Sequence, residues 1–247
     1  MDQQGRGMGA IRAVFFDVGG TLVYPHPSFP GVIARVLAQH GFPVPEEQIA
    51  ALEPIVLAEM AALHAAGGGF TRSEAESRQF WHGLYCRFLD HLGIPAGGDL
   101  PRHLYDEFIK YETYRLYPDT LPALEALRAR GVALGIISNW ESWLEPLLLH
   151  LEIHGFFAAT AISGHHGVEK PDPRIFELAV ASLGVPPAEA AHVGDSVRHD
   201  VEGARRAGLV PVLIDRRGQR DGGDYLCISD LRQLPAVLGL DVPVSER

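Results

Sequence analysis

Apolar residues along the chain recur in two rhythms. Short solid runs occupy Ile11–Asp17, Val132–Ile137, Ala158–Ile162, Ala190–Val193 and Leu209–Ile214, with a briefer one at Tyr225–Ile228. Runs of that length, bounded by glycine and polar residues, predict buried strands. Between them apolar positions recur at helical spacing over Asp119–Arg130, Trp140–Leu151, Pro173–Leu183, His199–Ala207 and Leu231–Leu238. Gly131, Gly184 and Gly208 follow three of these stretches as helix stops. Strand and helix in regular alternation predict an α/β fold: a Rossmann-like, doubly wound parallel sheet with helices on both faces.

The stretch from Tyr24 to Tyr114 breaks the alternation. Tyr24-Pro25-His26-Pro27, with Pro30, is a stiff connector that cannot be a helix interior. Beyond it Val32-Ile33 and Val36-Leu37 repeat at helical spacing and stop at Gly41. Glu46–Ala66 continues the pattern through Ile49, Leu52, Val56 and Met60, with Pro54 placed to kink or split it. Gly67-Gly68-Gly69 is a break. Thr71-Arg72-Ser73-Glu74 has the form of a capping box opening a third helix, which carries Phe80, Trp81, Leu84, Tyr85, Phe88 and Leu89. A fourth runs over Pro101–Tyr111. Aromatic residues at helical spacing read first as the core of a bundle. That reading is firmest for Phe88 and Leu89, and Trp81 and His82 fit core or pocket equally. About 120 residues separate Asp17 from Ser138, far beyond an ordinary strand–helix connection. The division expected is therefore a helical cap, 24–114, inserted into a core of 1–23 and 115–247, with 1–10 a disordered tail.

Charge narrows the partners. The formal net charge is −10, from 31 acidic and 21 basic residues, which argues against nucleic acid, whose phosphates need clustered Lys and Arg. No uninterrupted apolar run approaches the roughly 18 residues of a membrane helix. Met1–Gly9 is polar and glycine-rich, unlike a signal peptide. Cys86 and Cys227 are distant and unpatterned, which fits a reducing cytoplasm. Lys110 and Lys170 are the only lysines; every other basic side chain is arginine. Lysine is a compact charge that can sit between two oxyanions, where the arginine fork does not fit. The pattern carries no signal for oligomeric state.

The strand ends carry the candidate chemistry. Val14-Phe15-Phe16 stops at Asp17, and Val18-Gly19-Gly20-Thr21 follows. In open α/β sheets ligands bind at the carboxyl ends of strands. A carboxylate fixed there can serve as nucleophile or metal ligand, although it also fits an ordinary turn cap. The paired glycines permit a sharp turn and close approach. Gly135-Ile136-Ile137-Ser138-Asn139 ends a second strand in a hydroxyl. Gly167-Val168-Glu169-Lys170-Pro171-Asp172 carries Lys170 in a loop before a helix, with Asp172 and Pro173 as helix-start residues. Gly194-Asp195-Ser196-Val197-Arg198-His199-Asp200 follows the third strand. Taken alone, Ser138 fits a helix N-cap before Trp140, and Asp195 a cap for the helix after it.

Asp, Ser, Lys and an acidic pair, in this order and each at a strand end or in a loop, resemble the haloacid dehalogenase-like superfamily of hydrolases. The resemblance implies that Asp17 is the nucleophile, attacking phosphorus to form an aspartyl-phosphate that water then cleaves. It implies Ser138 and the Asn139 backbone N–H as donors to the phosphate, and Lys170 as the cation shared by nucleophile and phosphate. It implies a Mg²⁺ held by Asp17, the Gly19 carbonyl and Asp195, with Asp200 either ligating or holding Lys170. Mg²⁺ suits such an oxygen-rich site. The implied partner is a small phosphorylated substrate.

One position departs from the family pattern. Most phosphatases of the superfamily carry a second Asp two residues after the first, as general acid and base; here that position is Gly19. General acid help is worth about 10²–10⁴-fold. Three routes remain: an activated leaving group such as an aryl or acyl phosphate, an acid from His26, His82 or the pair His165-His166, or binding with little turnover. A metal-free 2-haloacid dehalogenase also lacks the second Asp but has no use for the acidic pair. A phosphonate hydrolase would need a cap lysine, and Lys110 lies at the far end of the insert.

Overall fold

The chain enters a strand buried at every residue, β1 (Ala13–Phe16), and leaves it at Asp17. The structure is a computed structural model that describes residues 10–66, 69–218 and 223–240; the tail expected over 1–10 (but for Ala10) and the break at Gly67-Gly68 lie outside them. After a tight turn comes β2 (Val23–Pro25), then α1 (Phe29–Gln39), α2 (Glu46–Ala50), α3 (Glu53–Ala65), α4 (Glu74–His91) and α5 (Leu100–Phe108). β3 (Tyr114–Leu116) returns antiparallel to β2, with Val23 opposite Leu116. Helix and strand then alternate through α6 (Thr120–Ala129), β4 (Ala133–Ser138), α7 (Leu144–His150), β5 (Ala159–Ile162), α8 (Ser163–His166), α9 (Pro173–Leu183), β6 (Ala190–Gly194), α10 (Glu202–Arg206), β7 (Val210–Ile214), β8 (Leu226–Ile228) and α11 (Leu234–Val237).

Among the described residues the main sheet has six strands, all parallel, in the order β5-β4-β1-β6-β7-β8. β1 lies inside it, Ala13 facing Ala133 on one side and Ala190 on the other. Side chains alternate across the sheet. Val14 and Phe16 join the apolar cluster with Leu124, Leu127, Leu144 and Leu147, from α6 and α7. Ala13 and Phe15 join the opposite cluster with Ile175, Phe176 and Ala204, from α9 and α10. The doubly wound α/β expectation therefore holds. Connections leave β1 toward β4 and β6 toward β7, in opposite directions, so the crevice between β1 and β6 is the switch point where such sheets bind ligands.

The five helices between β2 and β3 bury a third cluster, including Val32, Leu37, Leu84, Phe88, Leu89 and Leu104. Phe88 and Leu89 are core, as their spacing suggested, and Trp81 is only partly buried against them. The helical stretch Glu46–Ala66 is split, with Pro54 in the first turn of α3. By length and hydropathy Glu46–Ala65 passes for a membrane span, but that break divides it into two short helices.

Several boundaries move for local reasons. Thr71 does not cap α4; Ser73 does, accepting from the Glu76 N–H at 3.2 Å. The helix expected from Trp140 begins at Leu144, because the Trp140 backbone is tied to the end of β5. Its N–H donates to Ser163 Oγ at 2.9 Å, and its carbonyl accepts from Ser163 Oγ and the Gly164 N–H. The helix expected from His199 opens instead as a wide π turn, Val197–Val201, before α10. β2 and β3 are three residues each and include Pro25, too short and broken for the alternation rule to show.

Candidate active site

Asp17, Ser138 and Asp195 all sit at carboxyl ends of adjacent strands, and Lys170 is brought to them by the loop before α9. Ser138, last residue of β4, donates through Oγ to Asp17 Oδ1 at 2.8 Å, so it is not a helix cap. Lys170 is 2% exposed. Its Nζ lies 2.8 Å from Asp17 Oδ1 and 2.6 Å from Asp200 Oδ1. Asn139 fixes that lysine in a way its motif did not suggest. Its side-chain amide donates to the Lys170 carbonyl at 2.9 Å and accepts from the Lys170 N–H at 2.7 Å. Asp200 is completed by two more donors, His192 Nε2 at 2.8 Å and the Ser196 N–H at 3.0 Å. The π turn supplies that reach: its widened backbone folds Asp200 back under the loop that carries Asp195.

The cluster is electrostatically tight. Burial opposes the Lys170 ammonium, but the Asp17 and Asp200 carboxylates outweigh it and hold its pKa above the ordinary value. Burial likewise acts against the Asp200 carboxylate; Lys170 and His192 overcome it and hold its pKa well below the usual range. Asp195 opens onto the cleft but is walled by protein on its other sides. That loss of bulk water, then the charges of Asp17 and Asp200, raise its pKa. Burial lowers the pKa of His192 despite its Asp200 partner, and lowers that of His199 to about 4.

Carboxylate oxygens of Asp17, Asp195 and Asp200 all lie within 4.8 Å of one another. Three acids face one lysine, so the cluster lacks positive charge. The backbone is shaped to bring them together: Gly20 has φ +73°, and a Cβ there would stand 2.2 Å from Asp195 Oδ2. A Cβ on Gly194 would stand 2.1 Å from Asp200 Cγ. Oxygen donors with surplus negative charge are what a hard dication such as Mg²⁺ requires, so the residues fit that ion. Arg216 secures the turn behind them, donating to the Thr21 carbonyl at 2.7 Å and pairing with Asp119 at 2.9 Å.

Above this floor is a cavity of about 370 Å³. Its roof comes from the helical segment and is mainly apolar: Phe29, Met60, Phe70, Trp81, Tyr85 and Phe108, with Thr71 and Tyr105 beside them. Two buried carboxylates of the core hold roof to floor. Glu169, next to Lys170, accepts from the Phe70 N–H at 2.9 Å, the Thr71 Oγ1 at 2.8 Å and the Thr71 N–H. Glu141, two residues after Asn139, accepts from Ser77 Oγ at 2.6 Å and Tyr105 OH at 2.7 Å. Neither glutamate, nor His192 or His199, stood out in the sequence. What could have flagged the glutamates is their adjacency to motif residues in otherwise apolar surroundings.

The nominated proton donors are elsewhere. His26 lines a separate open groove with Arg115 and Glu152, and none of His82, His165 and His166 lines the cavity. His199 does line it, with Nδ1 3.2 Å from Ser196 Oγ. Lys110 is exposed and paired with Glu107 at 2.6 Å, away from the cleft, which leaves a phosphonate hydrolase without its lysine.

A model of the haloacid dehalogenase-like hydrolase family matches residues 11–208. The phosphoserine phosphatase of Thermus thermophilus is 34% identical over 70% of this chain and 73% of its own. A glyceraldehyde 3-phosphate phosphatase of Methanopyrus kandleri is 44% identical over 44% of this chain; the match spans only 47% of that relative's length. A HAD-hydrolase of Bacillus subtilis superposes with a TM-score of 0.74, covering 95% of this chain and 100% of that one at 16% identity, a likeness of fold. With the motif residues gathered at one sheet edge and the family model matching most of the length, the chain belongs to the haloacid dehalogenase-like hydrolases.

Proposed function

We propose that the protein is a Mg²⁺-dependent phosphatase of small phosphorylated metabolites that works through an aspartyl-phosphate on Asp17. One observation carries the reading: Asp17 Oδ1 is held between the Ser138 hydroxyl and the Lys170 ammonium, beside a cluster of further carboxylates. The relatives named as phosphatases support it. Asp17, the Gly19 carbonyl and Asp195 would hold Mg²⁺; bound there, the ion would offset the repulsion between the nucleophile and the phosphoryl oxygens. Every oxygen of Asp200 already accepts a hydrogen bond, so its part is to add negative charge and hold Lys170.

In the first step a carboxylate oxygen of Asp17 forms a bond to phosphorus while the ester P–O bond breaks and the leaving oxygen departs with the electron pair. Ser138, already aimed at Asp17, and Lys170 donate to the phosphoryl oxygens, which are fixed donors placed before the reaction begins. Water then attacks phosphorus as the bond from Asp17 to phosphorus breaks, the carboxylate of Asp17 leaves with the electron pair, and the water's protons end on the released phosphate and solvent. Gly19 offers no acid to the leaving oxygen, so protonation of a poor leaving group limits turnover. We further propose that 24–114 acts as a cap over a core of 1–23 and 115–247. Its own apolar cluster and the two-stranded β2–β3 ribbon that joins it to the core support this division.

The test is release of inorganic phosphate from a panel of monoesters with and without Mg²⁺, beside release of halide from 2-haloacids. Phosphate release that needs the ion is the expected result. Halide release without any ion would replace the reading with the dehalogenase one.

A further inference from the structure

All three tryptophans of the chain, Trp81, Trp140 and Trp143, line one cavity. The roof adds Phe29, Phe70, Phe108 and Met60. Among the described residues no Lys, Arg or His of the helical segment lines it. Its basic side chains are engaged outside: Arg35 with Glu107 at 2.7 Å, Arg87 with Glu59 at 2.9 Å, Arg102 with Asp106 at 3.0 Å. Among the described residues the wall's cation, Lys170, is on the core side. Lys170 is already shared by Asp17 and Asp200, and His199 is tied to Ser196. Glu141 adds a negative charge. The indole N–H groups of Trp140 and Trp143 are buried without partners, and the two rings enter the wall as aromatic surface.

We infer that the leaving group this site selects is an uncharged aromatic alcohol, so that the substrate is an aromatic phosphate monoester. The inference rests on the phosphatase reading and adds the substrate class. A carboxylate on the leaving group, as in phosphoserine, meets no unengaged cation in the wall. A polyol pushes hydroxyls against the rings of the roof, whose carbon surface cannot accept them, and an unpaired buried polar group is costly. A ring instead replaces water against the aromatic roof and stacks with it. An aryl oxygen also leaves without an acid, which suits the glycine at position 19.

The experiment separates ring recognition from leaving-group chemistry by comparing alkyl esters only. Benzyl phosphate, glycerol 3-phosphate and phosphoserine are assayed with Mg²⁺ for kcat/KM. Benzyl phosphate is expected to lead by about 10- to 100-fold, the gain from burying one ring. The same three are titrated into the Asp17→Asn protein by tryptophan fluorescence, which reads the cavity without turnover. The benzyl ester should bind tighter by a similar factor and alter the emission. Met60→Arg, at a partly exposed roof position, should cut the benzyl-to-phosphoserine ratio at least about tenfold by supplying the missing cation. Equal kcat/KM and equal binding for the three esters would overturn the inference while leaving a phosphatase. No phosphate from any of the three, nor from phenyl phosphate, whose leaving oxygen needs no acid, would overturn the phosphatase reading itself.

Discussion

The floor and the roof of the cleft are built on opposite principles. The floor is a knot of charge: Asp17, Lys170 and Asp200, each fixed by a neighbour at hydrogen-bond distance, with the Asp195 carboxylate within 4.8 Å of the other two acids. The roof is a set of rings on helices, positioned by packing. A charged knot is sensitive above all to loss of its one cation, Lys170, because an uncompensated buried charge is severe. A ring can be exchanged for another apolar group at the cost of volume alone. The floor should therefore set whether the reaction occurs, and the roof on what.

The largest effect expected is at the floor. Asp17→Asn keeps an oxygen for Ser138 and Lys170 but removes the nucleophile, so phosphate release should fall by at least about 10³-fold. Circular dichroism and the melting curve should stay close to those of the natural protein. Residual turnover at a tenth of the original rate would mean that Asp17 is not the attacking group.

Lys170→Met tests the knot as a structure. It leaves Asp17 and Asp200 facing each other without their shared cation. Removal of one partner from a buried ion pair costs about 3–5 kcal/mol, which for a chain of this size is a fall of roughly 10 °C in Tm. A Tm unchanged within 2–3 °C, roughly one kcal/mol, would show that the carboxylates relieve each other by protonation. The metal acts on the same charge imbalance. Millimolar Mg²⁺ should raise Tm, by about 2.7 kcal/mol of added stability at a hundredfold excess over Kd. Asp195→Asn should remove that rise, and Met60→Arg in the roof should leave it intact.

The same contrast explains what could be read before folding. Asp17 and Asp195 follow apolar strand runs and Lys170 lies in the loop before a helix, and strand ends in a parallel sheet converge, so linear order maps onto one place; Asp200 reaches it through the π turn. The roof has no such mapping. Trp81 and Phe88 share helical spacing on α4, yet one lines the cavity and the other the helical core; periodicity gives a face and not its neighbour. The seam was hidden for another reason. Thr71 had the form of a helix cap, but its hydroxyl and N–H serve Glu169, and Trp140 had the form of a helix start until Ser163 took its backbone. Long-range partners overrode local grammar at both positions.

Tyr105→Phe breaks the seam gently. It takes one donor from the buried Glu141 and leaves Ser77 in place. Hydrogen bonds to charged groups contribute about 1.5–3 kcal/mol, so Tm should drop by several degrees, with kcat reduced less than tenfold because the floor is untouched. A larger loss of kcat with no change in Tm would place Tyr105 in contact with the reacting ester.

The smallest effect is expected where the family pattern would suggest the largest. Gly19→Asp restores the missing acid on paper. The position does not have positive φ, so its backbone admits a side chain. Space is the obstacle: a Cβ there would meet the Trp140 ring at 3.1 Å. The indole must shift by a few tenths of an ångström to admit the new side chain, and it is held by Tyr114 and Trp143, with ring centroids at 5.4 and 5.2 Å. Trp140 would have to give way before an acid could reach the leaving oxygen. The single variant should therefore gain less than about tenfold on alkyl phosphates, well short of the 10²–10⁴-fold that a positioned acid supplies. Gly19→Asp with Trp140→Ala clears the path, and alkyl turnover should rise further in that pair than either change predicts alone. The preference for aromatic esters should fall at the same time, because the same indole forms part of the wall. A full gain from Gly19→Asp alone would show that Trp140 moves freely, and that the glycine rather than the ring is what withholds the acid.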